Sequence, residues 1–316
     1  MIVTLLWLLA MIAGFTVAVA GSRRAVTDAT ELSRGSRLPP FFIGMVLLAL
    51  GTDLPEIANS IASSVAGHGD VNVGDSMGSA ATQLLLVLGL IPFAGFLIPL
   101  GEPGSHLQRG QQRTAVITGL ALVGAGLLMV DGRLGRADAV LLILAWLAGS
   151  RLVYGDLRSD PQLPLGRRAP HRGKLLVRLV GSLVMVAAGA SLGVAGLVEL
   201  ADGWGVPEFV IAFFGASIGT SLPELIVVYT ALRRGETALG VGDILGSSFA
   251  DATLSLSAGP LLFPTEVDGG LALSGALVAA GAAALVVLLL GKGGVHTRRT
   301  GAVLLLAYAA TWPILL

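Results

Sequence analysis

Two glutamates stand in apolar sequence inside the same frame, Gly51-Thr52-Asp53-Leu54-Pro55-Glu56 and Gly219-Thr220-Ser221-Leu222-Pro223-Glu224. An acid at the centre of a membrane span costs roughly 2.5–3.5 kcal/mol on insertion scales, so a matched pair predicts an aqueous or ion-filled surrounding. Pro55 and Pro223 have no N–H, which deprives the Gly51 and Gly219 carbonyls of their helical partners. Irregular backbone at membrane depth survives where it is buried or lines a cavity. Thr52 and Glu56 are four apart, as are Thr220 and Glu224, Ser79 and Gln83, and Ser247 and Asp251. Each pair falls on one helical face, and every side chain in the four pairs carries oxygen. All-oxygen ligation selects Ca²⁺, Na⁺ or Mg²⁺ over zinc or copper. Asp75 and Asp243 closely follow glycines and are expected to cap helix starts.

The elements that must position these groups are membrane spans. The chain has 316 residues, 54% hydrophobic and 13% charged, about half the charged fraction usual in soluble domains. Apolar runs and polar breaks predict ten spans, near 1–20, 40–66, 73–100, 112–130, 137–153, 174–197, 207–232, 239–264, 269–291 and 299–316. The first segment lacks a basic n-region and is expected to be retained as a span. With no cysteine, disulfides and thiolate metal sites are excluded, and zero formal net charge gives no field for nucleic acid. His68, His106, His171 and His296 share no metal-ligand spacing and are expected at the surface.

Shifted by 168 residues, the chain matches itself. Val73-Gly74-Asp75 falls on Val241-Gly242-Asp243, Gly78-Ser79 on Gly246-Ser247, and 11 of the 29 positions from 51 to 79 are identical. The Pro-rich stretch 154–173 is expected to link a first half, 1–153, to a second, 174–316. Five spans per half is an odd number, so the copies must insert in opposite orientations, as an inverted repeat with a site near the midplane. Eighteen of the 20 Lys and Arg fall on one side; Arg133 and Arg136 fall on the other. The rich side is then cytoplasmic and both termini lie outside. The fold expected is an all-α membrane protein of ten transmembrane helices in two inverted five-helix repeats.

The paired blocks GTDLPE…VGDSMGS and GTSLPE…VGDILGSSFAD resemble the alpha-1 and alpha-2 repeats of the sodium/calcium exchanger family, within the wider cation/calcium antiporters. The resemblance covers the whole chain. It implies ion binding between the second, third, seventh and eighth helices, with the first and sixth sliding to alternate access. By resemblance the ligands carry over onto Thr52, Glu56, Ser79, Thr220, Ser221, Glu224, Ser247 and Asp251. Two positions depart from the family pattern: Asp53 stands where Ser is usual, and Gln83 where Asn is usual. The expected activity is antiport of Na⁺ against Ca²⁺ across the plasma membrane, with the bilayer as surroundings, no cofactor, no enzymatic step and no obligatory protein partner. A proton-coupled cation exchanger is the alternative, since a proton can neutralise a carboxylate removed from water just as Na⁺ can.

Overall fold

The computed structural model describes residues 2–34, 38–99, 104–158, 172–198, 208–291 and 294–315. They are almost wholly helical: α1 Ile2–Arg34, α2 Pro40–Thr52, α3 Leu54–Ala66, α4 Gly69–Leu90, α5 His106–Leu128, α6 Arg136–Arg158, α7 Arg172–Val198, α8 over 208–220, α9 Leu222–Arg233, α10 over 237–262, α11 Gly269–Gly291 and α12 Arg298–Leu315. Two short antiparallel ladders tie loops together. Strand β1 (Ile98–Pro99) pairs with β4 (Val295–His296), and β2 (Arg133–Leu134) with β3 (Thr265–Glu266).

Helix ends follow local chemistry. Helix α4 stops before Pro92 and the positive-φ Gly95, short of the expected 100. Helix α1 continues past the expected 20 to Arg34, so its second half carries the polar run from Ser22. The linker expected from 154 narrows, since α6 runs to Arg158 and α7 begins at Arg172; residues 159–171 lie outside the described residues.

Among the described residues, α4, α6 and α11 are each long and apolar enough to cross a membrane, and the bent pairs α2–α3 and α8–α9 raise that number to five. Ten spans were expected. Helix α10 is not in that number: it carries Asp243, Ser247, Ser248, Asp251, Thr253, Ser255 and Ser257, all buried. Central helices accept polar residues because they face the protein, whereas the lipid side must be apolar. Helix α4 is likewise 89% buried over its apolar window, against 28% for α6 and 39% for α11. Large apolar side chains such as Leu120, Leu144, Leu288 and Leu306 point outward.

The packing is reciprocal between the halves. A Cβ on Gly78 of α4 would overlap the Phe213 backbone of α8, and one on Gly246 of α10 would overlap the Met45 backbone of α2. These positions are related by the 168-residue offset, crosswise. On α1 and α7, Gly21 abuts Ser182 and Val186 while Gly189 abuts Gly14 and Ala18, again at that offset. A contact mirrored in this way is what an approximate two-fold axis generates. The apolar interior divides into two clusters. The larger unites α2, α4, α5, α6, α8, α9, α10, α11 and α12; the smaller joins Ala25, Val26, Ala29 and Leu32 of α1 to Leu175, Leu179, Leu183 and Val186 of α7, over Ile43 and Leu48 of α2, Val227 and Ala231 of α9 and Leu239 of α10.

Candidate cation site

The duplicated motif breaks a helix twice in the same way. Helix α2 ends at Thr52 and α3 starts at Leu54 after a 45° bend; α8 ends at Thr220 and α9 starts at Leu222 after a 42° bend. The hinge residues have matching backbone, Asp53 at φ −74° and ψ 4°, Ser221 at φ −78° and ψ 5°. Each proline falls at the second residue of the new segment, where its missing N–H costs least, and each glutamate falls in that segment's first turn. There it meets the positive end of the helix dipole.

Four π-helical turns surround the breaks: 44–48, 82–87, 211–216 and 251–255. They recur at nearly the 168-residue offset. Such turns insert an extra residue and concentrate at functional sites. Two of them hold Gln83 and Asp251.

The site residues converge from both halves. Thr52 Oγ1 lies 3.4 Å from Asp243 Oδ1 and 3.3 Å from Ser247 Oγ. The mirrored set has Thr220 Oγ1 3.1 Å from Asp75 Oδ1 and 3.1 Å from Ser79 Oγ. Gln83 Nε2 donates to Asp251 Oδ2 at 2.9 Å, and Ser248 Oγ stands 2.9 Å from Gln83 Oε1. Thr220 is half-buried; Thr52, Asp53, Glu56, Ser79, Gln83, Ser221, Glu224, Ser247 and Asp251 are each no more than 1% exposed.

Asp75 and Asp243 are not caps. They lie two turns inside α4 and α10, where each meets the threonine of the opposite half. Asn59 Nδ2 also donates to Asp75 Oδ2 at 2.6 Å. The sequence held a signal for them: Asp75, Ser79 and Gln83, like Asp243, Ser247 and Asp251, recur every four residues on one face. His296 departs from its expected surface place. It is 2% exposed, with Nε2 3.0 Å from the Leu88 carbonyl.

One carboxylate oxygen from each of Asp53, Glu56 and Glu224 lies within 4.8 Å of the others. All six oxygens of these acids are buried without a hydrogen-bond partner. Among the described residues His296 is the one buried basic side chain, and it sits in the β4 strand bonded to Leu88. Three carboxylates out of water without a protein counter-charge carry a desolvation cost that Coulomb attraction does not offset. Cations, or protons, can offset it. The donors are oxygens throughout, which fits a hard cation of the Ca²⁺ or Na⁺ kind.

Comparison with known proteins places the chain in a family. The chain is 29% identical over 268 residues to inner membrane protein YrbG of Escherichia coli, covering 82% of this chain and 80% of that protein. It is 25% identical over 303 residues to sodium/calcium exchanger MaX1 of Methanosarcina acetivorans, covering 82% and 84%. In fold it is similar to solved structures of the sodium-calcium exchanger NCX_Mj, with a TM-score of 0.79, 24% identity and 98% of both chains covered. The sodium/calcium exchanger protein family model matches residues 6–154 and 174–314, on both sides of the central linker. With nearly its whole length matched, the chain belongs to the sodium/calcium exchanger protein family.

Proposed function

We propose that the chain is a secondary antiporter that exchanges Na⁺ for Ca²⁺ by alternating access. The observation that carries this reading is the buried cluster of Asp53, Glu56 and Glu224, with no basic side chain buried beside it among the described residues, at two mirrored helix breaks. Glu56 and Glu224 bridge Ca²⁺. Thr52, Ser79, Thr220, Ser221 and Ser247 contribute hydroxyls from both halves. Asp251 contributes its Oδ1, while its Oδ2 is held by Gln83. Na⁺ displaces Ca²⁺ because one set of carboxylates cannot serve both at once.

In this reading ten spans form two inverted five-helix halves, 1–153 and 174–316, with both termini outside the plasma membrane. The loop ladders support the alternation, since β1 and β4 fall in two breaks assigned to the cytoplasmic side, and β2 and β3 in two assigned to the outer side. The α1–α7 pair moves against the rest. Its apolar residues meet α2, α9 and α10 in a cluster apart from the larger one, and Leu183 of α7 packs directly on Gly51 beside Thr52, where sliding would open or close the site. A groove of about 480 Å³ that includes Asn59 and Ala216 reaches toward Asp75 from the outer side and supplies an ion path.

Asp53 favours a second reading, proton-coupled exchange, because it adds a protonatable group to the cluster. Flux of ⁴⁵Ca²⁺ into proteoliposomes under an imposed Na⁺ gradient or an imposed pH gradient separates the two. Na⁺-driven uptake that vanishes in Glu56→Gln and Glu224→Gln is the expected result. Uptake driven by pH alone would establish the second reading, and full uptake in both variants would remove the site assignment.

A further inference from the structure

We propose that the seam between α1 and α9 is a binding site for an anionic phospholipid of the cytoplasmic leaflet. The seam holds a groove of about 490 Å³ that includes Val19, Leu225 and Tyr229 on its walls and Arg23, Arg233 and Arg234 at its rim. A second groove, of about 570 Å³, shares Val19 and Arg23 and continues along α1 through Thr16 to Ile12. From Arg23 to Ile12 the helix rises about 16 Å, close to the roughly 15 Å depth of one hydrocarbon leaflet. An acyl chain fits that length, and guanidinium forks suit the phosphate above it.

The bias of basic residues toward the cytoplasm accounts for arginines on this side of the membrane. It does not account for three of them at one apolar groove. Nor does the duplication: the positions matching Arg23, Arg233 and Arg234 in the other half are Ser191, Val65 and Ala66. The rim is also organised. The Arg233 guanidinium lies 5.9 Å from the centre of the Tyr229 ring, and Arg234 donates to Thr27 Oγ1 of α1. Thr230 also lines the groove, and its Oγ1 lies 2.9 Å from Ser22 Oγ, tying α9 to α1 beside it. A lipid seated here touches α1 and α9 at once, and so couples bilayer charge to the placement of α1.

Native mass spectrometry of the purified full-length chain tests this, with phosphatidylglycerol and phosphatidylcholine added in turn. The chain is expected to retain phosphatidylglycerol in preference to phosphatidylcholine. The preference is expected to fall about fivefold for each of Arg23→Gln, Arg233→Gln and Arg234→Gln. Arg151→Gln with Arg158→Gln, on the same side but outside the groove, is expected to leave it unchanged. Should Arg233→Gln or Arg234→Gln not fold, Arg23→Gln alone carries the test. Equal retention of both lipids, an equal loss in the Arg151/Arg158 variant, or no loss in Arg23→Gln would overturn the proposal. So would displacement of phosphatidylglycerol by millimolar inorganic phosphate, which would make the site one for free phosphate.

Discussion

Asp53 places a third carboxylate against Glu56 and Glu224, where most relatives of this pattern are expected to hold a hydroxyl. Ca²⁺ affinity in oxygen cages is tuned by the number of charged ligands and by site rigidity. Asp53→Ser removes one charge and keeps an oxygen at the hinge, so the Ca²⁺ concentration for half-maximal uptake is expected to rise about tenfold in proteoliposomes. An unchanged value would place Asp53 outside the ion's coordination. Gln83 acts on a neighbour. Its amide holds Asp251 Oδ2 at 2.9 Å, and the shorter Gln83→Asn leaves that buried oxygen unpaired. The expected loss of stability is about 1–3 kcal/mol, read as a lower unfolding temperature in detergent without added Ca²⁺. The departures at 53 and 83 were legible in the sequence; their consequences were not. Spacing placed Gln83 and Asp251 in separate oxygen pairs, and the bond between them crosses 168 residues of chain. His296 was misjudged because nothing in its neighbours announces a buried ring. A carbonyl of α4, 208 residues away in sequence, supplies the partner.

Bends, π turns and close helix contacts shape the elements around those residues. The bends could be read from Pro55 and Pro223, since a missing N–H is a local fact. The π turns could not, because the phase shift of an inserted residue shows only against a polar face, and these turns are buried on nearly every side. Close approach is testable at Gly78 and Gly246, where any Cβ meets main chain of the opposite half. Gly78→Ala or Gly246→Ala is expected to cost about 1–3 kcal/mol of stability as overpacking. Gly281→Ala has nothing within 4 Å of the new methyl and is expected to be neutral or slightly stabilising, by helix propensity. Unfolding temperatures of the three variants give the comparison. The β1–β4 ladder carries its own pH dependence through His296, whose pKa burial pushes down, with the Leu88 hydrogen bond acting the other way. Because the folded value lies below the unfolded one, about 6.5, the unfolded chain binds more protons on acidification. Stability from this residue is therefore full above pH about 6.5 and is lost as pH falls through the folded value. The difference in unfolding temperature between the wild-type chain and His296→Gln is expected to shrink from pH 7.5 to pH about 5.5, whatever the acids of the site do in both.

On the scale of the molecule, the 168-residue repeat announced a duplicated architecture, and the crosswise contacts of Gly78 with Phe213 and Gly246 with Met45 express it as an approximate two-fold. The resemblance set the first and sixth helices apart as sliding elements; the side chains by which α1 and α7 pack together could not be read, because both helices look like any other apolar run until their partners are known. If that pair slides during transport, a covalent tie between it and the rest must stop the cycle. Ser22 of α1 and Thr230 of α9 offer the place, with side-chain oxygens 2.9 Å apart, near the reach of a disulfide. The chain has no cysteine, so Ser22→Cys with Thr230→Cys yields a single possible bridge. Oxidation is expected to reduce Na⁺-driven ⁴⁵Ca²⁺ uptake to background, and a reductant to restore it. Arg133→Cys with Glu266→Cys is the matched control. Those residues face each other across the β2–β3 ladder, within the part that is proposed to stay rigid, so its oxidation is expected to leave uptake intact. Loss of transport in both pairs would point to motion throughout the fold. Full transport in the bridged Ser22/Thr230 pair would mean that α1 holds still against α9, and access to the acids would then have to alternate through local movement at the Asp53 and Ser221 hinges alone.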